Sequence, residues 1–149
     1  MGLIHDIGLG PVALDSVAFI YFIEEHPRYL PLLEPVFAAI DGGRLRAVTS
    51  SLTLLEVLVV PFRAEDLPLA ARYEGLLTRS RGLHMVEIDR EQLRAAAQLR
   101  AAHRRVRTPD ALQLSAALSG GCTAMLTNDR RLPVVPGLRV LELREYARD

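Results

Sequence analysis

Apolar positions along the chain fall into two kinds of run. Short runs at 11–15 (PVALD), 45–50 (LRAVTS), 83–88 (LHMVEI), 122–129 (CTAMLTND) and 138–143 (LRVLEL) have the length and composition of strands. Longer segments with helical character separate them. The stretch 16–26 (SVAFIYFIEEH) starts near Ser16 and stops before Pro27, and its apolar residues run around all sides. Such a helix is either buried or half-covered by a partner. The segment 31–43 closes on Gly42 and Gly43, the C-terminal signal expected of a helix. The segment 51–62 is rich in β-branched residues, but its length favours a helix. The segment 65–80 is amphipathic with Pro68 in its first turn, and 89–105 is built from the strong helix formers Ala, Leu, Gln and Arg. The last helix, 108–119 (TPDALQLSAALS), is expected to take Thr108 as N-cap and Pro109 at its first position, and Gly120-Gly121 ends it.

Strands that alternate with helices predict an α/β fold with one mostly parallel five-stranded sheet covered on both faces. No repeat, low-complexity tract or long linker divides the 149 residues, so a single domain over 1–149 is expected.

Composition narrows the chemistry. The formal net charge is zero, so any affinity for phosphates must be local. All 18 basic residues are Arg; the absence of Lys disfavours phosphoacceptor domains and the P-loop, both of which balance phosphoryl charge with a Lys. A lone cysteine, Cys122, excludes an internal disulfide and a Cys-rich zinc site and reads as a buried structural thiol. The first residues carry no basic leader and no apolar run reaches membrane-spanning length, so a cytoplasmic protein is expected.

Four acids stand where elements meet: Asp15 ends the first strand, Glu56 lies in the helix after the second, Asp110 opens the helix before the fourth, and Asp129 follows the fourth. Each has a local explanation. Asp15 or Ser16 can cap a helix, Thr53-Leu-Leu-Glu56 fits a capping box, Asp110 suits a helix dipole, and Asn128-Asp129 is ordinary turn chemistry. Their joint placement suggests more, because ligands of open parallel sheets sit outside the carboxyl ends of the strands. If the first and fourth strands are neighbours, Asp15 and Asp129 share one crevice that Glu56 and Asp110 can reach. At ~5 Å and an effective dielectric of ~20, each pair of carboxylates repels by roughly 3 kcal/mol. Protons or a cation must relieve that repulsion. Oxygen ligands without His or Cys suit Mg²⁺ or Mn²⁺, whose chemistry on phosphates is hydrolytic.

The segments ALDSVAFIYF (13–22), SSLTLLEVL (50–58), RTPDALQLSAAL (107–118) and MLTNDRRL (125–132), in this order, resemble the PIN domain and within it the VapC-type toxins of toxin–antitoxin pairs. The resemblance implies a PIN-like three-layer fold with strand order 3-2-1-4-5. It implies that Asp15, Glu56, Asp110 and Asp129 hold Mg²⁺ or Mn²⁺ and cleave RNA, with Ser16, Thr53, Thr127 and Asn128 in support. It further implies a homodimer and a small antitoxin partner, for which 17–23 and 54–62 are candidate contact surfaces. The alternative within the resemblance is a non-catalytic or housekeeping nucleic-acid-binding module. Basic residues often surround the site in these toxins. Here Arg100, His103, Arg104, Arg105 and Arg107 stand just before Asp110 and Arg130-Arg131 just after Asp129, and Arg104, Arg105, Arg107 and Arg130 are the candidates for RNA binding. The stretch DRRL lacks the aromatic residue often found after the last acid in the family.

Overall fold

The computed structural model describes residues 2–147. Five strands form one sheet: β1 (Val12–Leu14), β2 (Ala47–Ser50), β3 (Leu83–Val86), β4 (Ala124–Thr127) and β5 (Arg139–Glu142). The order is β3-β2-β1-β4-β5, and every pairing is parallel. The sheet order implied by the family resemblance is therefore the one observed. β1 and β4 are adjacent, with Ala13 opposite Met125 and Leu14 opposite Leu126.

Successive strand residues point to opposite faces, and both faces are covered. Val12, Leu14, Ala124 and Leu126 pack on one side against Phe19, Leu33, Val36, Ile40 and Tyr73. Those partners come from α2 (Ser16–Ile23), α3 (Leu30–Asp41) and α5 (Leu67–Arg79), and Leu3 and Ile7 of α1 (Leu3–Ile7) join the same core. Ala13, Val48 and Met125 face the other way onto Leu114, Ala116 and Ala117 of α7 (Thr108–Ser119). A third cluster of Ala96, Val106, Ala111 and Leu112 locks α6 (Arg90–Ala102) onto α7. The ambiguous segment is helical as expected, forming α4 (Leu52–Arg63) with Val57 and Leu58 in the first core.

Several boundaries differ from those expected. The opening helix α1 is too short to leave a periodic signal in the sequence. α2 stops at Ile23 rather than reaching 26, because Glu25 turns to φ 53°. α3 does end at Gly42-Gly43, where Gly43 takes φ 73°, a value that favours glycine. Cys122 lies just before β4 rather than within it; it is buried, and burial pushes its thiol up to about 11. The C-terminal tail forms a short 3-10 turn, Leu143–Glu145, whose Leu143 is fully buried. Among the described residues, no helix is long and apolar enough to cross a membrane.

Candidate active site

Parallel pairing of β1 and β4 sets their carboxyl ends side by side. Asp15 follows β1 and caps α2, and its Oδ1 accepts the Ser16 N–H at 2.7 Å with Ser16 Oγ at 3.4 Å. Thr127 closes β4 and is fully buried. Its hydroxyl donates to Asp15 Oδ2 at 2.9 Å and accepts the Asp129 N–H at 2.9 Å. One side chain thus fixes two of the acids. They line an open crevice of about 330 Å³ together with Val17, Asn128 and Arg131.

Asp110 and Glu56 approach from helices. Asp110 is the third residue of α7, and its Oδ2 accepts the backbone N–H of Arg107 at 3.3 Å. The cap of α7 is therefore Arg107, with Thr108 and Pro109 at its first two positions, one residue earlier than expected. This makes Asp110 a helix-start acid in the ordinary sense, but its carboxyl also feels the charge of Asp129. Glu56, in the second turn of α4, feels the charges of both Asp15 and Asp110.

Electrostatics tie the four together. Burial raises Asp15, with the Asp129 charge adding to it, while hydrogen bonds from Thr127 and Ser16 oppose the shift. Burial likewise raises Glu56, and the charges of Asp15 and Asp110 reinforce it. Asp110 rises through burial and then through the charge of Asp129. Asp129 moves the other way, lowered first by its hydrogen bond to Arg131. The two carboxyls of the Asp110–Asp129 pair are thus shifted in opposite directions, Asp110 up and Asp129 down. Among the described residues, no three of these acids close into a ready metal cage. Arg131 grips Asp129 instead, with Nε 3.0 Å from Oδ1, Nη2 3.1 Å from Oδ2 and its backbone N–H 2.9 Å from Oδ1.

The supporting residues divide. Thr53 does not form a capping box with Glu56, because α4 starts two residues earlier than that box requires, with Ser51 at the cap position. The Thr53 side chain is fully buried and points to Thr49 Oγ1 at 2.7 Å. Gln113 of α7, which the sequence reading passed over, donates from Nε2 to Thr53 Oγ1 at 2.8 Å and accepts the Ser50 N–H at 3.2 Å. Thr49 in turn donates to the Leu14 carbonyl at 2.7 Å. Each hydroxyl has one proton, so the bonds run in one direction, Gln113 to Thr53 to Thr49 to Leu14. This buried chain crosses from α7 to the residue before Asp15. The signal was a Gln one turn after Asp110 within an otherwise apolar stretch.

Asn128 lines the crevice, but its side chain serves the fold. Its Nδ2 donates to the Tyr21 hydroxyl at 3.3 Å, and its Oδ1 accepts the Arg144 N–H at 2.9 Å. Of the basic candidates, Arg104, Arg105 and Arg107 are exposed on the link between α6 and α7. Arg100 holds that link from within, donating to the Val106 carbonyl at 3.2 Å and to Thr108 Oγ1 at 2.9 Å. Arg130 is turned toward Glu142 at 3.9 Å, so its neighbour Arg131 is the arginine that contacts the acids.

No curated protein matches the chain in sequence. Solved structures share its fold. VapBC2 from Rickettsia felis, bound to a DNA fragment from its promoter, is similar at TM-score 0.66 and 15% identity over 88% of this chain and 97% of that one. DNA-bound VapBC from Salmonella typhimurium reaches TM-score 0.61 at 23% identity, over 89% and 97% of the two chains. VapC20 from Mycobacterium tuberculosis, a toxin that cleaves the sarcin–ricin loop, reaches 0.62 at 12% identity over 76% and 86%. The PIN domain model matches residues 12–138, from the start of β1 to the edge of β5, a span that includes Asp15, Glu56, Asp110 and Asp129; the chain belongs to the PIN domain family.

Proposed function

We propose that the chain is a single-domain, metal-dependent ribonuclease of the cytoplasm that hydrolyses RNA phosphodiester bonds as the toxin of a VapBC-type pair. The observation that carries this reading is the meeting of Asp15 and Asp129 at the carboxyl ends of β1 and β4 in one crevice, with Glu56 and Asp110 near enough for like charge to act between the acids. Burial and like charge hold three of them above the ordinary carboxylate range, a cost that a doubly charged ion relieves. The donor set is all carboxylate oxygen, which fits Mg²⁺ or Mn²⁺. Asp15, Asp110 and Asp129 would hold the ion, with Glu56 beside them. When bound, such an ion polarises a phosphate and makes water a nucleophile at neutral pH.

The chain's own residues do the rest. Thr127 and Ser16 fix the rotamer of Asp15. Glu56, steadied by Gln113 and Ser16, orients the attacking water and accepts its proton. Exposed Arg104, Arg105, Arg107 and Arg130 supply cations for the RNA backbone next to an otherwise acidic site.

A partner surface accompanies the site. α4 exposes Leu55, Val59 and Phe62 along one face, at i, i+4 and i+7, with Val60 exposed beside them, the kind of apolar ridge that marks a protein contact. Of the two surfaces expected, 54–62 is thus open to a partner, whereas α2 turns its large side chains inward. Phe22 stacks on Phe37 at 4.2 Å and Tyr21 on Tyr29 at 4.5 Å. The Rickettsia and Salmonella structures are toxin–antitoxin assemblies by name, and the α4 ridge is where an antitoxin or a second copy of the chain would sit.

The test is Asp15→Asn, assayed on RNA with Mg²⁺ or Mn²⁺. The parent should release products with 5′-phosphate and 3′-hydroxyl ends, and the variant should release none while keeping its circular-dichroism spectrum. Equal cleavage by both proteins overturns the reading.

A further inference from the structure

Most of the acceptor capacity of Asp129 is taken by one neighbour. A carboxylate offers about four lone-pair positions. Arg131 fills three, through its Nε, Nη2 and backbone N–H, and engages both oxygens. The guanidinium lies against both oxygens of Asp129, so a divalent ion would have to compete with it for that carboxylate. Its hold is reversible by construction. Arg131 lies two residues from Asp129 on an exposed loop, and its side chain is 46% exposed. It can rotate into solvent without moving a strand or helix, and the crevice it borders opens directly to solvent.

We infer that Arg131 is a resident countercharge that must leave Asp129 before that carboxylate can accept a divalent ion, and that the released guanidinium then binds a phosphate of the RNA substrate. In the exchange Asp129 faces a cation at each stage and the guanidinium keeps an anionic partner. A guanidinium covers the carboxylates when the ion is absent, and substrate phosphate receives the guanidinium once it is released. Arginine suits both partners because its planar fork matches carboxylate and phosphate alike. The inference rests on Asp129 being a metal ligand.

Calorimetric titration of Mn²⁺ into the parent, Arg131→Gln and Arg131→Lys separates the possibilities, with the melting temperature confirming that each is folded. Loss of an exposed bidentate pair should tighten Mn²⁺ binding by Arg131→Gln about two- to fivefold. Arg131→Lys keeps the charge but cannot span both oxygens, so its affinity should fall between the other two. In cleavage assays Arg131→Gln should raise KM for RNA severalfold more than it changes kcat. If the parent binds Mn²⁺ saturably but Arg131→Gln binds it no more tightly, the exchange is overturned while the metal site stands. If Arg131→Lys matches the parent, net charge alone governs binding and the exchange is overturned as well. An unchanged KM removes the phosphate contact. Absence of saturable binding in all three overturns the metal reading and the exchange with it.

Discussion

Thr127 and Asp15, 112 positions apart in the chain, meet at 2.9 Å, with the Thr127 hydroxyl donating to Asp15 Oδ2. The same hydroxyl accepts the Asp129 N–H, so one buried oxygen sets the spacing of the acids at the ends of β1 and β4. Thr127→Val keeps the shape and removes both bonds. It should lower stability by about 1–2 kcal/mol and weaken Mn²⁺ binding, whereas Thr127→Ser should restore most of each. Chemical denaturation and calorimetry read the two effects.

The buried chain Gln113–Thr53–Thr49–Leu14 predicts strong coupling between its members. Gln113→Leu strands the Ser50 N–H and should cost about 2–3 kcal/mol. In a double-mutant cycle with Thr53→Val, the combined loss should fall short of the sum by about 1 kcal/mol or more. Urea unfolding measures all four corners. Strict additivity would mean that the hydroxyls act independently.

The acids also set a pH dependence whose sign is fixed. Asp15, Glu56 and Asp110 have folded-state values above the ordinary range. Each contributes stability that is present below the unfolded value of ~4 and is lost as pH rises through the folded value. Asp129, lowered by Arg131, works in the opposite sense and loses its contribution as pH falls. Asp110→Asn removes one raised group and keeps an acceptor for the Arg107 N–H. In the metal-free protein at pH 7 it should melt higher than the parent, by on the order of 2 °C. That advantage should shrink toward pH 4. Scanning calorimetry across this range tests it, and a gain independent of pH would contradict the assignment.

On α4, Leu55 and Val60 are 62% and 63% exposed, so charging them should leave the fold intact. Leu55→Glu combined with Val60→Glu should unfold at the same urea concentration as the parent within error. If the ridge is a partner surface, the double variant should lose self-association in analytical ultracentrifugation or co-purification with an antitoxin expressed from the same plasmid. Unchanged association would move the interface elsewhere.

Much of the architecture was legible because its signals are local. Strand runs such as AMLT at 124–127, the Pro109 start of α7 and the Gly42-Gly43 stop of α3 act within a few residues of themselves. The placement of Asp15 and Asp129 at strand ends needed only the rule that parallel sheets bind ligands at their carboxyl edge. α1 escaped because a five-residue helix shows no period. Thr53 was read as a capping residue because its spacing to Glu56 fits that motif, yet a buried Gln from another helix competes for it and wins.

The sequence alone determined the succession of strands and helices and the four acids at their junctions, since apolar period and helix-end chemistry are properties of neighbours along the chain. Only the tertiary structure decided that Gln113 would be buried beside Thr53, that Asn128 would serve the loop, and that Arg131 rather than Arg130 would hold Asp129. Those outcomes depend on which polar groups are taken out of water together. A buried donor must find its acceptor wherever folding has put one, whatever their distance in sequence.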